Sequence, residues 1–553
     1  MSYFKERAPS GMILFMALLG LIVAAGFTKI SGYDIWWHLK TGEIIFNTRQ
    51  IPLNDIFSYT AMGNPWVNHE WLFQVMAWLL YSKIGLSSLT LLQFGIVAAM
   101  SIFLYSTFLR TTESKIAAMF GTALTTLSVA DRVMMRPFLI GLMLTAYFLF
   151  RLHSYVTKDK GSLFELPFLT ILWVNVHAGG MIGPSLILAF AAGESLQRLI
   201  AIKTKWGAQS PSSPDIIRKL WLVGITSTVA AIINPFGTET YTFSTSHFQM
   251  KAILSFTQEW IPVLDPRLDG VFSQILFRIL LLLTPLSFVV NRRSARLSHL
   301  GIWVIASMMV LKGRRFTADY AIMMTPIIFL NFRTLAGKFR VTAGAENLRR
   351  WGSVLIVSVI SLIAVRDGIP ATIRGGTAGE LGLGIVSNFP SGTADFLERE
   401  GIHGRMFNEM GLGGYLIFRR WPKELVFIDG RTPVYGDEFY LEYMDIIQNP
   451  RNLEALLKKY GIDYMVFNAY QAWSMRHMHR YISTRPDWKL VYATSHGFVY
   501  LKDKPEYREK IERLWIPEHP LVEEMKRIGE IKVKKDMKDI GDSDIVPENN
   551  RGK

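Results

Sequence analysis

Hydrophobic positions along this chain gather into long continuous blocks, and polar positions are concentrated between them. Four of the blocks read GMILFMALLGLIVAAGF, LTLLQFGIVAAMSIFLYSTFL, ILFRILLLLTPLSFVV and SVLIVSVISLIAV. They approach or exceed the roughly 18–20 apolar residues that a helix needs to cross a hydrocarbon core of about 30 Å. The pattern predicts a polytopic α-helical membrane protein with about eleven transmembrane helices. The predicted spans are 11–29, 88–108, 116–131, 138–154, 163–177, 180–197, 219–235, 271–290, 298–312, 320–333 and 351–367.

Composition supports this class of protein. Half of the 553 residues are hydrophobic and only 19% are charged, which is more apolar than a soluble chain of this length. There is no cysteine, so disulfide bonds, thiolate nucleophiles and cysteine-ligated zinc are excluded. The net charge of +15 does not indicate nucleic-acid binding, because lysine and arginine beside membrane spans produce the same excess. We therefore predict membrane lipid, and no nucleic acid, as a partner.

The loops between spans differ in charge. If the N-terminus is cytoplasmic, the inner segments carry roughly twice as many Lys and Arg residues as the outer ones, which is the positive-inside pattern. Those inner segments are 109–115, 151–162, 198–218, 291–297 and 334–350. Counting the apolar stretch 71–86 as a span would invert every later loop, so we predict an interfacial or re-entrant helix there. The predicted location is the cell membrane, within the cell envelope, with the C-terminal domain outside the cytoplasm.

The pattern changes towards the C-terminus. Residues 1–367 form the predicted membrane domain, which includes a first outer loop at 30–87, and the Gly-rich stretch 368–389 is a predicted linker. From 390 to 502, short β-branched or aromatic runs alternate with helical stretches, which predicts an extracytoplasmic α/β domain. The tail 503–553 is highly charged, and we expect it to be part helical and part disordered.

The stretch GYDIWWHLKTGEII follows the first span directly. Asp34 and His38 are four residues apart, so they share a face if the stretch is helical. Tryptophan prefers the headgroup level of a bilayer, and Trp36 and Trp37 fit an anchor there. Asp34 is either a catalytic or metal-coordinating carboxylate, assisted by His38, or an incidental one within a helix cap.

The same outer loop supplies further ionisable side chains. Asp55, His69 and Glu70 follow within forty residues, and together with Asp34 they fit an acid/base pair or a site for a hard metal. Asp55 also has a simpler interpretation, because an Asn-Asp pair shortly after Pro52 is typical of turn or cap chemistry.

Five cations at outer span ends run against the charge rule. The guanidinium fork of arginine matches phosphate oxygens, so a lipid-linked phosphate or diphosphate is a natural ligand for them. The alternative is pairing with lipid headgroups or with the nearby Asp131 and Asp319. The cations are Arg132 and Arg136 at one span end, and Lys312, Arg314 and Arg315 at another.

Weaker candidates lie at three other outer positions. Asn175 and His177 precede a Gly-Gly break in a span, Asn234 precedes a proline, and Glu259 stands beside Trp260. Polar residues at membrane boundaries are costly and tend to be functional, so we predict that they contribute to substrate binding.

The order of these motifs resembles the GT-C class of membrane glycosyltransferases. The motifs DIWWHLKTGEII, IPLNDIFSYT, PWVNHEWL, MRPFL, LWVNVHAGG, INPFG, QEWIP, GGYLIF and VFIDGRTPVYG are similar to those of a largely uncharacterised bacterial and archaeal group of that class. The resemblance covers most of residues 30–500. It implies a polyprenyl-phosphate or polyprenyl-diphosphate sugar as donor, and chemistry at the outer face.

The resemblance also implies roles for particular residues. Asp34 matches the carboxylate of the first outer loop that acts as base or metal ligand. Arg132, Arg136, Arg314 and Arg315 would correspond to the basic residues near the lipid phosphate. A divalent cation, Mg or Mn, is a possible cofactor, although there is no DxD or ExD motif. NEMGLGGYLIF is only faintly similar to the WWDYG motif of oligosaccharyltransferases.

The resulting hypothesis is a glycosyltransferase that moves a sugar from a polyprenyl-phosphate carrier to a glycan, lipid or protein acceptor. His38, Glu70 or Asp55 would assist Asp34. Two alternatives stay open: a transporter or flippase of a lipid-linked or anionic substrate, and a GT-C-like scaffold that binds glycolipid without catalysis.

Overall fold

The computed structural model describes most of the chain. The described residues are 9–158, 161–203, 212–247, 249–268, 271–336, 351–352, 354–359, 362, 380–386, 389–448, 452–468, 476–494 and 496–517. They divide into two compact units. The first comprises residues 1–53 and 66–387, and the second comprises residues 54–65 and 388–553.

The first unit is helical. Its helices are α1 Pro9–Gly26, α2 Asp34–Thr48, α3 Trp71–Ile84, α4 Ser87–Thr112, α5 Lys115–Val129, α6 Pro137–Lys158, α7 Glu165–Val176, α8 Ile182–Lys203, α9 Pro214–Ala230, α10 Glu239–His247, α11 Lys251–Phe256, α12 Phe272–Val290, α13 Leu297–Val310 and α14 Thr317–Ala336. Short 3₁₀ turns at Ala130–Arg132, Ala178–Met181, Gln258–Trp260 and Arg314–Phe316 lie between them.

Four of the described helices are long and apolar enough to cross a membrane. They are Ser87–Thr112, Pro137–Thr157, Ala178–Ala201 and Phe272–Val290. Three shorter apolar helices accompany them: Gly11–Gly26, Glu165–Val176 and Leu297–Val310. The fold is therefore that of a helical membrane protein. The count of eleven spans and the orientation of the chain stay predictions, and most of the span at 351–367 lies outside the described residues.

Helix α14 forms the centre of the first unit. It packs against α4, α5, α6, α12 and α13, and its residues from Ala318 to Met324 are buried. Polar bonds fix its rotation within the bundle. The Tyr320 hydroxyl donates to Thr284 Oγ1 at 2.9 Å, and Asn291 Nδ2 donates to Asn331 Oδ1 at 2.8 Å. Because α14 is enclosed by other helices, the side chains at its start face the interior of the first unit.

Helices α2 and α3 form a tight hairpin. A Cβ added at Gly42 would come within 2.0 Å of the Gln74 carbonyl oxygen, so the two backbones are in direct contact there. Helix α3 has 14 residues and is about 21 Å long, too short to cross a hydrocarbon core of about 30 Å. This length agrees with the interfacial or re-entrant helix predicted at 71–86, and its placement in a bilayer stays a prediction.

We expect Gly42→Ala to lower the thermal midpoint of the purified protein in detergent, because the added methyl group overlaps the α3 backbone. Overpacking of this kind costs about 1–3 kcal/mol or more. Gly95→Ala is the matched control, since Gly95 lies in α4 with no other atom near the position of its Cβ. That change should leave the midpoint unchanged or raise it slightly. Equal effects of the two substitutions would contradict the close contact at Gly42.

The boundaries of one predicted span shift for a local reason. The span predicted at 219–235 begins five residues earlier, at Pro214, because Ser213 caps the helix. The Ser213 hydroxyl accepts the Ile216 N–H at 3.3 Å, and proline at the first helical position has no N–H to leave unsatisfied. The helix ends at Ala230, which places Asn234 in a turn.

The second unit is an α/β structure. Its elements are α15 Ser391–Arg399, β1 Met406–Asn408, α16 Met410–Arg420, α17 Thr432–Gln448, α18 Leu453–Tyr460, β2 Tyr464–Asn468, α19 Arg476–Ser483, β3 Trp488–Ala493, β4 Gly497–Lys502 and α20 Arg508–Leu514. The four-stranded sheet has the order β1-β2-β4-β3, with β1 and β2 parallel and the other pairs antiparallel. The α/β pattern predicted from the sequence is thus observed, and the charged tail beyond residue 517 lies outside the described residues.

Residues 54–65, predicted as part of the first outer loop, pack in the second unit. The Val426 N–H donates to the Phe57 carbonyl oxygen at 3.0 Å. The Tyr59 hydroxyl donates to the Met406 carbonyl oxygen at 2.8 Å. The sequence pattern did not predict this insertion, because it depends on hydrogen bonds between segments more than 340 residues apart.

Asp55 is the most buried charge of this insertion. Its carboxylate pairs with Arg431 at 2.7 Å and accepts the N–H groups of Phe57 and Ser58 and the Ser58 hydroxyl. Arg431 also pairs with Asp429 at 2.7 Å. These contacts favour the turn and cap interpretation of Asp55, because every one of them is structural and lies within the second unit.

Candidate active site

Asp34 is the first residue of α2. The exposed N–H groups at the start of a helix stabilise a carboxylate in the first turn. Asp34 Oδ2 lies 2.9 Å from Arg136 Nη2, and both side chains are about one quarter exposed. Arg136 immediately precedes α6, so this ion pair joins residues that are about one hundred positions apart in sequence. The stretch is helical, which is the condition under which Asp34 and His38 share a face.

Arg136 also contacts a second carboxylate. Its Nη1 lies 3.1 Å from Glu259 Oε1, and Arg132 Nη1 lies 2.9 Å from the same oxygen. Arg132 is held in place by Phe138, whose ring centre lies 4.3 Å from the guanidinium carbon. The first arginine pair and Glu259, which the sequence predicted separately, therefore form one cluster with Asp34.

Glu259 is an ionised carboxylate. Burial alone would raise the pKa of its carboxyl group, but the guanidinium groups of Arg132 and Arg136 outweigh that effect. They hold this pKa well below its ordinary value. Two cations and two anions thus share one hydrogen-bonded network, in which each charge is held by a partner.

Arg315 lies beside this network. Its guanidinium carbon lies 4.6 Å from the centre of the Trp260 ring, and Trp260 is itself buried. Arg315 and Arg132 both line a cavity of about 40 Å³, together with His177 and Asp319. The apolar part of the lining comes from α6, α7 and α8 and from Phe316 in the 3₁₀ turn. The cavity has room for a few water molecules, so a larger ligand must displace protein groups to enter it.

Arg314 has a different environment from Arg315. It pairs with Asp131 at 3.0 Å, and this aspartate also accepts from Gln274 Nε2 at 3.2 Å. The side chain of Asp131 is almost fully buried, so the contact anchors the Arg314–Phe316 turn to the end of α5. For Arg314 the geometry favours the alternative of pairing with Asp131 over direct phosphate binding. Lys312 is exposed at the preceding turn.

His38 and Glu70 form a second part of the site. His38 Nε2 and Glu70 Oε2 are 3.9 Å apart, and His69 Nε2 lies 3.9 Å from Glu70 Oε1. Burial, and after it the charge of Arg136, holds the pKa of His38 well below its ordinary value, so this imidazole is neutral. Burial and the neighbouring Asp34 raise the pKa of Glu70 to about 8, so this carboxyl group is protonated at neutral pH.

The raised pKa of Glu70 predicts a pH dependence of stability. The ordinary pKa is 4.5 and the folded value is about 8, so the folded state binds more protons than the unfolded state within this interval. The stabilisation associated with Glu70 is therefore complete below about pH 4.5 and is lost as the pH rises towards 8. We expect the thermal midpoint of the unaltered protein to fall relative to that of Glu70→Gln between pH 5 and pH 8.

The comparison with Glu70→Gln isolates this group, because both proteins contain the same histidines. Glu43→Gln, in the same helical hairpin, is the matched control and should follow the unaltered protein at every pH. Parallel midpoint curves for Glu70→Gln and the unaltered protein would show that the Glu70 carboxyl group titrates normally in the folded state.

Asn175 and Asn234 are structural in this arrangement. Asn175 Oδ1 accepts from Trp71 Nε1 at 2.8 Å, and Asn175 Nδ2 donates to the Ile233 carbonyl oxygen at 2.8 Å. Asn234 Oδ1 accepts the Phe236 N–H at 2.9 Å and stabilises its own turn. Both amides therefore join helix ends near the cluster, and their predicted role in substrate binding stays a prediction.

His177 caps the turn that follows α7. Its Nδ1 accepts the Gly179 N–H at 3.1 Å, so the helix breaks where the Gly-Gly pair predicted a break. Its ring centre lies 6.5 Å from that of His69, and it lines the cavity with Arg315.

The carboxylates do not form a set of ligands for a divalent cation. Among the described residues, no group of three or more histidine, aspartate or glutamate side chains is placed to hold a metal ion. Asp34 and Glu259 both direct an oxygen at Arg136, and Glu70 is protonated. A role for Mg²⁺ or Mn²⁺ stays a prediction, and no step below depends on one.

The sequence did not single out Trp173. This residue is fully buried in α7 and lines the cavity beside Gly141, where an added Cβ would lie 3.0 Å from Trp173 Nε1. A tryptophan within the apolar run before Asn175 was the available signal. Only the packing of α6 against α7 shows that its indole borders the cavity.

The fold is similar to those of solved membrane glycosyltransferases of the GT-C class. The oligosaccharyltransferase from Archaeoglobus fulgidus in its apo form matches with a TM-score of 0.51 and 12% identity, over 92% of this chain and 76% of that one. Its structure tethered to an acceptor peptide containing the NVT sequon matches with a TM-score of 0.51 and 12% identity, over 92% of this chain and 75% of that one. ArnT from Cupriavidus metallidurans bound to undecaprenyl phosphate matches with a TM-score of 0.49 and 11% identity, over 89% of this chain and 98% of that one.

Sequence comparisons add nothing to this likeness. No protein-family model matches the chain, and no curated protein matches it. At 12% identity, the likeness to the oligosaccharyltransferase shows the fold alone.

Proposed function

We propose that this protein is a glycosyltransferase that moves a sugar from a polyprenyl-phosphate or polyprenyl-diphosphate carrier to an extracytoplasmic acceptor. One observation carries the proposal: Arg136 joins Asp34 to Glu259 at 2.9 and 3.1 Å, at the ends of apolar helices in a GT-C fold. A base and several phosphate-binding cations are the groups that this reaction requires. The acceptor is a glycan, lipid or protein. The similar oligosaccharyltransferase, solved with a tethered acceptor peptide, supports an acceptor of this general kind.

The transfer step uses the cluster in a defined way. The acceptor hydroxyl oxygen attacks the anomeric carbon of the sugar, and the bond from that carbon to the phosphate oxygen breaks. The bonding electron pair leaves with the phosphate, and the acceptor proton passes to the Asp34 carboxylate. The guanidinium groups of Arg132, Arg136 and Arg315 offset the negative charge that develops on the departing phosphate.

The two carboxyl groups of the first outer loop have different roles in this scheme. Burial raises the pKa of Glu70 to about 8, so this carboxyl group mostly carries a proton at neutral pH, and we assign it the role of a hydrogen-bond donor to the substrate. His38, packed between Trp37 and Phe73, holds its Nε2 3.9 Å from Glu70 Oε2, beyond hydrogen-bond distance. We assign the base role to Asp34, whose carboxylate lies 2.9 Å from its partner Arg136.

The experiment separates bond cleavage from binding and from transport. The purified protein is placed in vesicles that contain polyprenyl-phosphate hexoses carrying a radiolabel in the sugar. A glycosyltransferase breaks the sugar–phosphate bond, and we expect labelled sugar to move slowly to water without an acceptor and faster once an acceptor is supplied. The measured quantity is labelled sugar separated from the carrier lipid, compared with protein-free vesicles.

Two outcomes would refute the proposal. If the intact labelled lipid crosses the bilayer without cleavage, the protein is a flippase. If the lipid is retained by the protein but stays intact with every hexose and acceptor tested, the protein is a binding scaffold.

A further inference from the structure

The cavity beside Arg132 and Arg315 is lined by these two cations, by apolar side chains and by the carboxyl group of Asp319. Its apolar lining includes Phe138 and Leu142 from α6, Trp173 from α7 and Ile182 from α8. A lipid-linked phosphate has the same combination of a charged head and an apolar chain. At about 40 Å³ the cavity is too small for the head group with its sugar, so binding requires something to move.

One wall of the cavity carries an unsatisfied donor. Trp173 is fully buried, and among the described residues its Nε1–H has no hydrogen-bond acceptor. The indole nitrogen can only donate, and a buried donor without an acceptor costs about 1–3 kcal/mol. The Nε1 atom is closed to water in this structure, so an anion reaches this donor only when the cavity widens.

Glu259 occupies the position of an anion between two arginines. A single oxygen, Oε1, accepts from Arg132 and from Arg136, at 2.9 and 3.1 Å. Arginine side chains converging on one oxyanion is the arrangement with which proteins bind phosphate. The same arginines keep the pKa of Glu259 low, so its charge is present throughout the physiological range.

The turn that carries Glu259 is attached to the third cation. The Arg314 N–H donates to the Ile261 carbonyl oxygen at 3.0 Å, and Arg315 covers the Trp260 ring. Gly313 has a φ of +150°, and an added Cβ would lie 3.0 Å from the Trp260 backbone, so a larger residue would be strained there. A movement of Glu259 therefore also moves its neighbour Trp260, on whose ring Arg315 packs.

We propose that Glu259 is an internal anion that the carrier phosphate displaces when the donor binds. The phosphate then takes the two arginines and the Trp173 Nε1–H. This inference rests on the proposed function and identifies the element that opens the site. The phosphate that links a polyprenyl chain to a sugar is a diester with one negative charge, so it replaces the charge of the Glu259 carboxylate, which a neutral lipid cannot do.

The test measures the affinity of the full-length protein in detergent for farnesyl phosphate, a short polyprenyl phosphate. Glu259→Gln keeps the shape of the side chain and removes the competing charge. We expect it to bind farnesyl phosphate about tenfold more tightly than the unaltered protein, since a charged hydrogen bond no longer has to be broken. Asp265→Asn is the matched control. Asp265 lies six residues after Glu259 and pairs with Arg267, so this substitution should leave the affinity unchanged.

Three further arms define the ligand. Farnesol, without phosphate, should show no gain from Glu259→Gln. Inorganic phosphate should bind more weakly than farnesyl phosphate to both proteins. Equal affinity for the two phosphates would overturn the assignment to a lipid. Trp173→Phe should weaken farnesyl phosphate binding, because the indole donor is removed while the aromatic packing is kept.

A measurement on the unaltered protein covers the case in which Glu259→Gln does not fold. Farnesyl phosphate should increase the hydrogen exchange of backbone amides 257–261, since Glu259 loses its anchors. Decreased exchange there would overturn the inference, and so would weaker or unchanged binding by folded Glu259→Gln. If the binding gain is observed but no sugar is ever cleaved from a carrier, the proposed function fails and the anion exchange stands. If cleavage is observed without the gain, only the anion exchange fails.

Discussion

Replacing Asp34 by asparagine is expected to reduce sugar transfer at least a hundredfold and to leave the fold intact. Asparagine keeps the size of the side chain but cannot accept the acceptor proton, and a positioned general base contributes about 10²–10⁴ to a rate. The pair with Arg136 at 2.9 Å loses its charge, yet Arg136 keeps Glu259 as a partner. The measurement is transfer of labelled sugar in vesicles, with the thermal midpoint as the check of folding.

The pattern of kinetic constants distinguishes a base from a residue that only holds Arg136. Loss of the base lowers kcat with little change in KM for the donor, whereas a displaced Arg136 raises that KM. Glu43→Gln is the matched control, because Glu43 lies in the same helix and pairs with Lys40 at 2.6 Å. It should retain full activity. Unchanged turnover by folded Asp34→Asn would remove Asp34 from the reaction.

The second large effect is expected in the second unit. Replacing Arg431 by methionine should destabilise this unit by about 3–5 kcal/mol, because the carboxylates of Asp55 and Asp429 would lose their shared cation while remaining buried. Asp55→Asn should also destabilise it, since Arg431 then keeps one carboxylate only. Lys504→Met is the matched control. It breaks a pair with Asp463 that is about one quarter exposed, for which we expect about 1 kcal/mol or less.

The absence of cysteine from the chain makes this measurement simple. A single Val466→Cys substitution places a thiol in the buried strand β2, and its rate of labelling reports opening of the second unit. Labelling should be much faster in Arg431→Met than in Lys504→Met. If sugar transfer by Asp55→Asn, per folded molecule, falls as far as in Asp34→Asn, then Asp55 is catalytic and the cap interpretation is wrong.

The candidate site shows which interpretations could be made from the sequence. The two arginines that flank a span end, Glu259 and Asp34 were all predicted from their position at boundaries of apolar blocks. That prediction rests on the cost of burying an unpaired charge in lipid, because of which such residues mark places where something holds them. The sequence could not distinguish Arg315, which borders the cavity, from Arg314, which is paired with Asp131. Adjacent residues in a 3₁₀ turn point in different directions, and only the packed turn determines which direction each takes.

Asp55 illustrates the same limit at a larger scale. Its neighbours Asn54 and Pro52 correctly indicated a turn, which is a local property of the backbone. Its partner Arg431 lies in the second unit, in VFIDGRTPVYG, and no local pattern connects the two segments. Hydrogen bonds from residues 54–65 to Met406 and Val426 decide that this loop completes the α/β unit.

The sequence by itself determined the class of protein: apolar blocks of membrane-spanning length, an α/β region after them, and most ionisable residues near the boundaries of the blocks. These properties follow from the preference of each segment for lipid or water, which every segment expresses independently of the others. Only the tertiary structure decided which carboxylate meets which arginine, that Glu70 is protonated, and that Trp173 borders a cavity. Those properties depend on distances of a few ångströms between helices far apart in the chain, and such distances are set by packing.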